Sequence, residues 1–129
     1  MKKTLLLSLI VLASCGKKEL PSNIESALSN YEAQNTLKSE FDKVINGLDE
    51  REINQLSIDS LGSIIDKQNV FNQILDVEER ELREALRKNP EFSNSDEVKN
   101  RKKHTSTVEF FKKYNLILKR YTSMKGESL

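Results

Sequence analysis

The sequence predicts an all-α protein, either an antiparallel three-helix bundle or an extended helical hairpin with a third helix laid along it. Three observations point there. Apolar residues recur at three- and four-residue steps through most of the chain, which gathers them on one helical face. No run alternates apolar and polar residues between turn signals, as a half-buried strand would. Charged residues make up 32% of the 129 residues, with 4 glycines, 2 prolines and no tryptophan. Such a composition suits long, solvated helices better than a compact sheet.

The first helix is expected over residues 22–46. Ile24, Leu28, Tyr31, Phe41, Val44, Ile45 and Leu48 fall on one face, and Ser22 or Asn23 can cap the start after Pro21. Gly47 suits the closing position because it takes positive φ without strain. A second helix is expected over residues 49–88. Asp49-Glu50-Arg51-Glu52 fits a capping box, and Ile53, Leu61, Ile64, Phe71, Leu75, Leu82 and Leu86 keep close to the helical period. Its weak point is residues 56–62, where Ser57 or Asp59 could start a separate helix. Asn89-Pro90 ends it, since the residue before proline disfavours helical geometry.

The third helix is expected from Ser95, with Asp96 and Glu97 suited to a helix amino end, to about Thr122. Val98, Val108, Phe111, Leu118 and Tyr121 mark one side, and Phe110, Tyr114 and Ile117 widen it. Residues 22–123 thus form the helical domain, and residues 124–129 are expected to fray. Polar residues at core positions, Gln34 or Asn35 and Gln68, predict an imperfect seam. Short connections at 47–49 and 89–94 favour antiparallel neighbours.

Charge is unevenly distributed. Residues 15–95 hold 16 acids and 10 bases, whereas residues 96–129 hold 4 acids and 9 bases. With antiparallel second and third helices, the acidic cluster at residues 76–81 would lie beside Lys99, Arg101, Lys102 and Lys103, as internal complementarity. The alternative use of the basic residues is a strip over 99–113 that meets an anionic or acidic partner. Phe110 and Phe111 are adjacent aromatics that cannot both face one seam, so one of them is a candidate interaction residue.

The amino terminus carries the most specific signal. Lys2 and Lys3 precede an apolar run, Leu5-Leu6-Leu7-Ser8-Leu9-Ile10-Val11, and then Leu12-Ala13-Ser14-Cys15. The run has signal-peptide length and is well short of the roughly 20 apolar residues that cross a bilayer. This order of features resembles the lipobox of bacterial lipoprotein precursors. The resemblance implies that residues 1–14 are a cleaved signal peptide and that Cys15 carries a diacylglyceryl group. It also implies that residues 15–21 are a lipidated tether and that the membrane is a partner through the lipid. Gly16 stands where aspartate signals inner-membrane retention in enteric bacteria. The resemblance therefore points to a lipid-anchored protein of the cell envelope, with the outer membrane favoured.

Little else in the chain suggests chemistry. Cys15 is the one cysteine and His104 the one histidine; Arg101 stands three residues before His104, where a helical di-iron site would need glutamate. Zinc would need several nitrogen or sulfur ligands, so no metal or cofactor is expected, and His104 is expected at an exposed helix position. Without residues 1–14 the chain has 20 acids and 19 bases, too balanced for a general nucleic-acid binder. No small-molecule ligand is expected. The sequence supports a non-catalytic envelope lipoprotein whose helical domain binds a protein or acts as a spacer. Its rivals are an immunity or entry-exclusion inhibitor lipoprotein and, less in keeping with the residues, an enzyme.

Overall fold

The computed structural model describes residues 19–128, and side-chain surroundings for residues 19–126. The expected signal peptide, Cys15 and residues 16–18 of the tether lie outside the described residues. Those described are helical, without a strand: α1 (Ser22–Asn46), α2 (Glu50–Gln55), α3 (Ile58–Lys88), a 3₁₀ turn (Pro90–Phe92), α4 (Asp96–Lys99) and α5 (Val108–Ser128). No described helix is long and apolar enough to cross a membrane.

The helix ends correct the sequence-based expectations in several places. α1 begins at Ser22 itself, with Pro21 at the capping position and no side-chain cap. Gly47 keeps ordinary right-handed geometry at φ −76°; Leu48 still packs into the core behind it. The capping box forms as expected: Asp49 Oδ1 accepts from the Glu52 amide at 2.7 Å, and the Asp49 amide donates back to Glu52 Oε1 at 3.2 Å. The second helical stretch divides at its expected weak point into two helices, with Ser57 rather than Asp59 as the new start. Leu56 and Ser57 are extended, and Ser57 Oγ accepts from the Ser60 amide at 3.1 Å to start α3. The break is stabilised from outside, because Arg120 on α5 donates to the Leu56 carbonyl at 3.3 Å.

The third helix departs furthest from expectation. Ser95 caps α4 through the Val98 amide, but α4 stops after Lys99 and residues 101–107 take no regular structure. Thr105, Ser106 and Thr107 are poor helix formers whose hydroxyls compete for backbone groups. Thr107 Oγ1 accepts from the Phe110 amide at 3.1 Å, which serves as a fresh start for α5. At its other end α5 runs to Ser128, through residues expected to fray.

Packing falls into two apolar clusters. One joins Ile24, Ala27, Leu28 and Tyr31 of α1 to Leu82 and Ala85 of α3, with Phe92 and Val98 closing the end. Leu20, just before α1, packs against this cluster. The other joins Ile45 of α1, Ile53 of α2, Leu61 of α3, and Phe110 and Ile117 of α5. The start of α1 therefore meets the end of α3, and the end of α1 meets its start. Each fully buried side chain of this size contributes about 1.5–3 kcal/mol.

The face of α5 also needs correction. Phe110 and Ile117 are fully buried and Tyr114 and Tyr121 partly so, while Val108, expected on the same side, is 73% exposed and Phe111 is the member of the aromatic pair left outside, at 50%. Gly62 of α3 leaves room for Tyr121 of α5: a Cβ there would lie 3.2 Å from the Tyr121 ring.

Candidate interaction site

The two sides of the α1–α3 pair differ in chemistry. On one side, Tyr31, Asn35, Lys38 and Asp42 follow each other at four-, three- and four-residue steps along α1, which puts them on one stripe. All four are buried. Residues 101–107 lie across this stripe. The Lys102 amide donates to Glu32 Oε2 at 2.8 Å and the His104 amide to Asn35 Oδ1 at 3.0 Å. Arg101 sits over the Tyr31 ring, 5.7 Å from its centroid.

At the centre, Lys38 and Asp42 form a buried ion pair. The Lys38 ammonium also donates to Ser106 Oγ at 3.1 Å and sits 4.2 Å from the centroid of the Phe110 ring, so its donors have a carboxylate, a hydroxyl and an aromatic face. The other carboxylate oxygen, Asp42 Oδ2, accepts from Ser106 Oγ at 2.6 Å and lies 2.6 Å from His104 Nε2. An ionised carboxylate only accepts, so that ring nitrogen carries the proton. Burial pushes the Asp42 carboxyl up, but the hydrogen bonds from Lys38, Ser106 and His104 and the charge of Lys38 outweigh it and hold the group below its ordinary value.

This arrangement corrects two expectations. His104 is partly buried against α1, in a non-helical segment. The basic cluster does not lie against the acidic one. Among the described residues, Asp76 and Glu79 pair with Arg80 and Arg83 of their own helix, while residues 101–104 lie on α1. The side chains of Lys99, Lys102 and Lys103 are exposed. Of the two adjacent aromatics, Phe110 is core and Phe111 is half exposed, edge-on to Phe110. Phe111 borders a shallow cleft of about 410 Å³ shared with Gln68, Asn72 and His104.

The other side of the pair is open. A groove of about 630 Å³ runs between α1 and α3, lined by Leu37, Phe41 and Val44 on one bank and Ile64 and Phe71 on the other. Leu37 is 48% exposed and Val44 66% exposed, although the helical period had placed Val44 in the core. Glu40 stands on the α1 bank and Lys67 on the α3 bank, and neither has an ion-pair partner among the described residues. Val70 follows Ser63 and Lys67 at helical spacing and is 49% exposed.

Two signals in the sequence could have found these features. Asn35, Lys38 and Asp42 continue the Tyr31 stripe, and an apolar Leu37-x₃-Phe41-x₂-Val44 run lies beside it. The period says that both stripes exist; it does not say which one later residues will cover. Among the described residues, no three His, Cys, Asp or Glu side chains converge as metal ligands would. No protein-family model matches the chain, and neither a curated protein nor a solved structure is significantly similar to it.

Proposed function

We propose that this chain is a lipid-anchored envelope protein without catalytic activity, whose antiparallel three-helix bundle binds another protein through the groove between α1 and α3. The groove carries the binding half of this reading. Large aliphatic side chains held in water on a concave face, beside a fully packed core, are the usual mark of a surface that is covered in use. The lipobox carries the anchoring half. Two or three acyl chains on Cys15 would hold the protein durably where one would not.

The polar cluster favours a structural role over catalysis. A hydrolytic relay places histidine between the nucleophile and the acid. Here Asp42 lies between Ser106 and His104, and the Ser106 proton goes directly to the carboxylate. That leaves the hydroxyl without a histidine partner and fixes residues 101–107 against α1.

Two measurements test the proposal. Cys15→Ser should abolish lipid labelling and release the protein from membranes, and continued retention would sink the anchor. Val44→Asp should abolish capture of the partner while leaving the helical circular dichroism unchanged; undiminished capture would remove the groove from the account.

A further inference from the structure

We infer that the occupant of the α1–α3 groove is a second copy of this chain, paired about a twofold axis parallel to the helices. The inference rests on the anchored reading in one respect: two copies held by Cys15 on one membrane must point the same way, and a twofold along the helices keeps both amino ends together. A closed twofold pair is also the commonest symmetric assembly.

That axis lays α1 of each copy over α3 of the other. The level of each residue follows from the contacts inside one chain. Leu28 packs in the cluster with Leu82 and Ala85, the Phe41 and Phe71 rings are 5.4 Å apart, and Leu48 packs in the cluster with Leu61 and Ile64. Val44 of one copy therefore comes level with the space between Ile64 and Phe71 of the other, a knob entering a hole. All three residues line the groove, and Val44 is more exposed than Leu37 beside it.

Charge supports the same pairing. The groove carries one acid and one base, Glu40 and Lys67, on opposite banks, and neither has an ion-pair partner among the described residues. In the twofold arrangement Glu40 of each copy faces the Lys67 bank of the other. The offset along the axis is about five residues, or about 7 Å at the helical rise, which the two side chains span together. A pair of complementary contacts repeated by symmetry also gives the interface its register. The chain beyond residue 14 is close to neutral, so two copies do not repel each other strongly.

Sedimentation of the full chain in density-matched detergent tests this directly. The wild type should run as a dimer that dissociates on dilution. Val44→Asp should run as a monomer with unchanged helicity. Glu40→Lys and Lys67→Glu should each raise the dissociation constant about tenfold, within the range of close interfacial charge pairs, and combining them should restore it. A wild type that is monomeric throughout would overturn the inference, as would a dimer indifferent to Val44→Asp or a double charge variant that stays apart. A stoichiometric complex with a different protein at Val44 would also overturn it while leaving the binding-module reading intact. Membrane release of Cys15→Ser is read separately by fractionation, so failure of the anchor is not mistaken for failure of the pairing.

Discussion

The two flanks of the α1–α3 pair reverse the usual order of inside and outside. On the flank covered by residues 101–107 and α5, charged and polar side chains are buried: Lys38 is 3% exposed and Asp42 2%. On the bare flank, Leu37 is 48% exposed and Val44 66%. Asn35, Lys38 and Asp42 each meet a partner supplied by residues 104–106, which is what makes their burial tolerable. The apolar groups on the bare flank are covered only in part: Phe41 meets Phe71, while Leu37 and Val44 stay exposed. Burial here is decided by which face the third segment covers, and the face left over is the one free to bind.

Removing one member of the buried ion pair should have the largest effect on the covered flank. Asp42→Ala leaves the Lys38 ammonium without its carboxylate and should cost about 3–5 kcal/mol, read from the denaturant midpoint. Replacing both residues, Lys38→Met with Asp42→Leu, should cost less than the single change, because no charge is left buried alone.

The same carboxylate should make the fold acid-labile. Asp42 is held below its ordinary value in the folded chain, so its contribution is fully present above the unfolded value of about 3.9. It is lost as the pH falls from there through the lower folded value, because the unfolded state then binds the proton more tightly. Melting temperature should drop with pH below about 4, and Asp42→Asn should be less stable near neutrality yet lack this contribution to the acid slope. An unchanged slope in that variant would assign the acid sensitivity to other carboxylates.

A smaller effect is expected for His104→Ala, about 1–2 kcal/mol from a lost hydrogen bond to a charged group. Its signature should be local: the Lys102 and His104 amides, which donate to Glu32 and Asn35, should exchange faster in deuterated water while the α1 and α3 core amides hold. The smallest effect on stability belongs to the bare flank. Leu37→Asp should change it by no more than about 0.5 kcal/mol, as for an ordinary surface position, yet abolish partner capture. A large loss of stability would mean that Leu37 is core and that the comparison between the flanks is wrong.

The sequence made the helices legible where the signal is local. The Asp49–Glu52 capping box, the Asn89-Pro90 stop and the Ser95 cap are written in neighbouring residues and form as expected. The periodic positions of α3, from Leu61 to Leu86, also lie on its inner side. What failed was decided at long range. Residues 101–107 leave the helix to bond side chains on α1 about 70 positions earlier. For the same reason local pattern puts His104 in solvent and gives no sign that Lys38 and Asp42 are buried together. Val44 was read into a core that α5 does not extend to.

The central claim, that the bare flank and not the basic, covered one is the binding face, is tested most directly by site-specific photocrosslinking of the full chain in cells. A photoreactive residue would be placed at Val44 in one experiment and at Phe111 in another. Both side chains are half or more exposed, so accessibility alone does not separate them. The account predicts a discrete adduct from Val44, running at the mass of two chains, and no discrete adduct from Phe111. A discrete adduct from Phe111 with none from Val44 would contradict it.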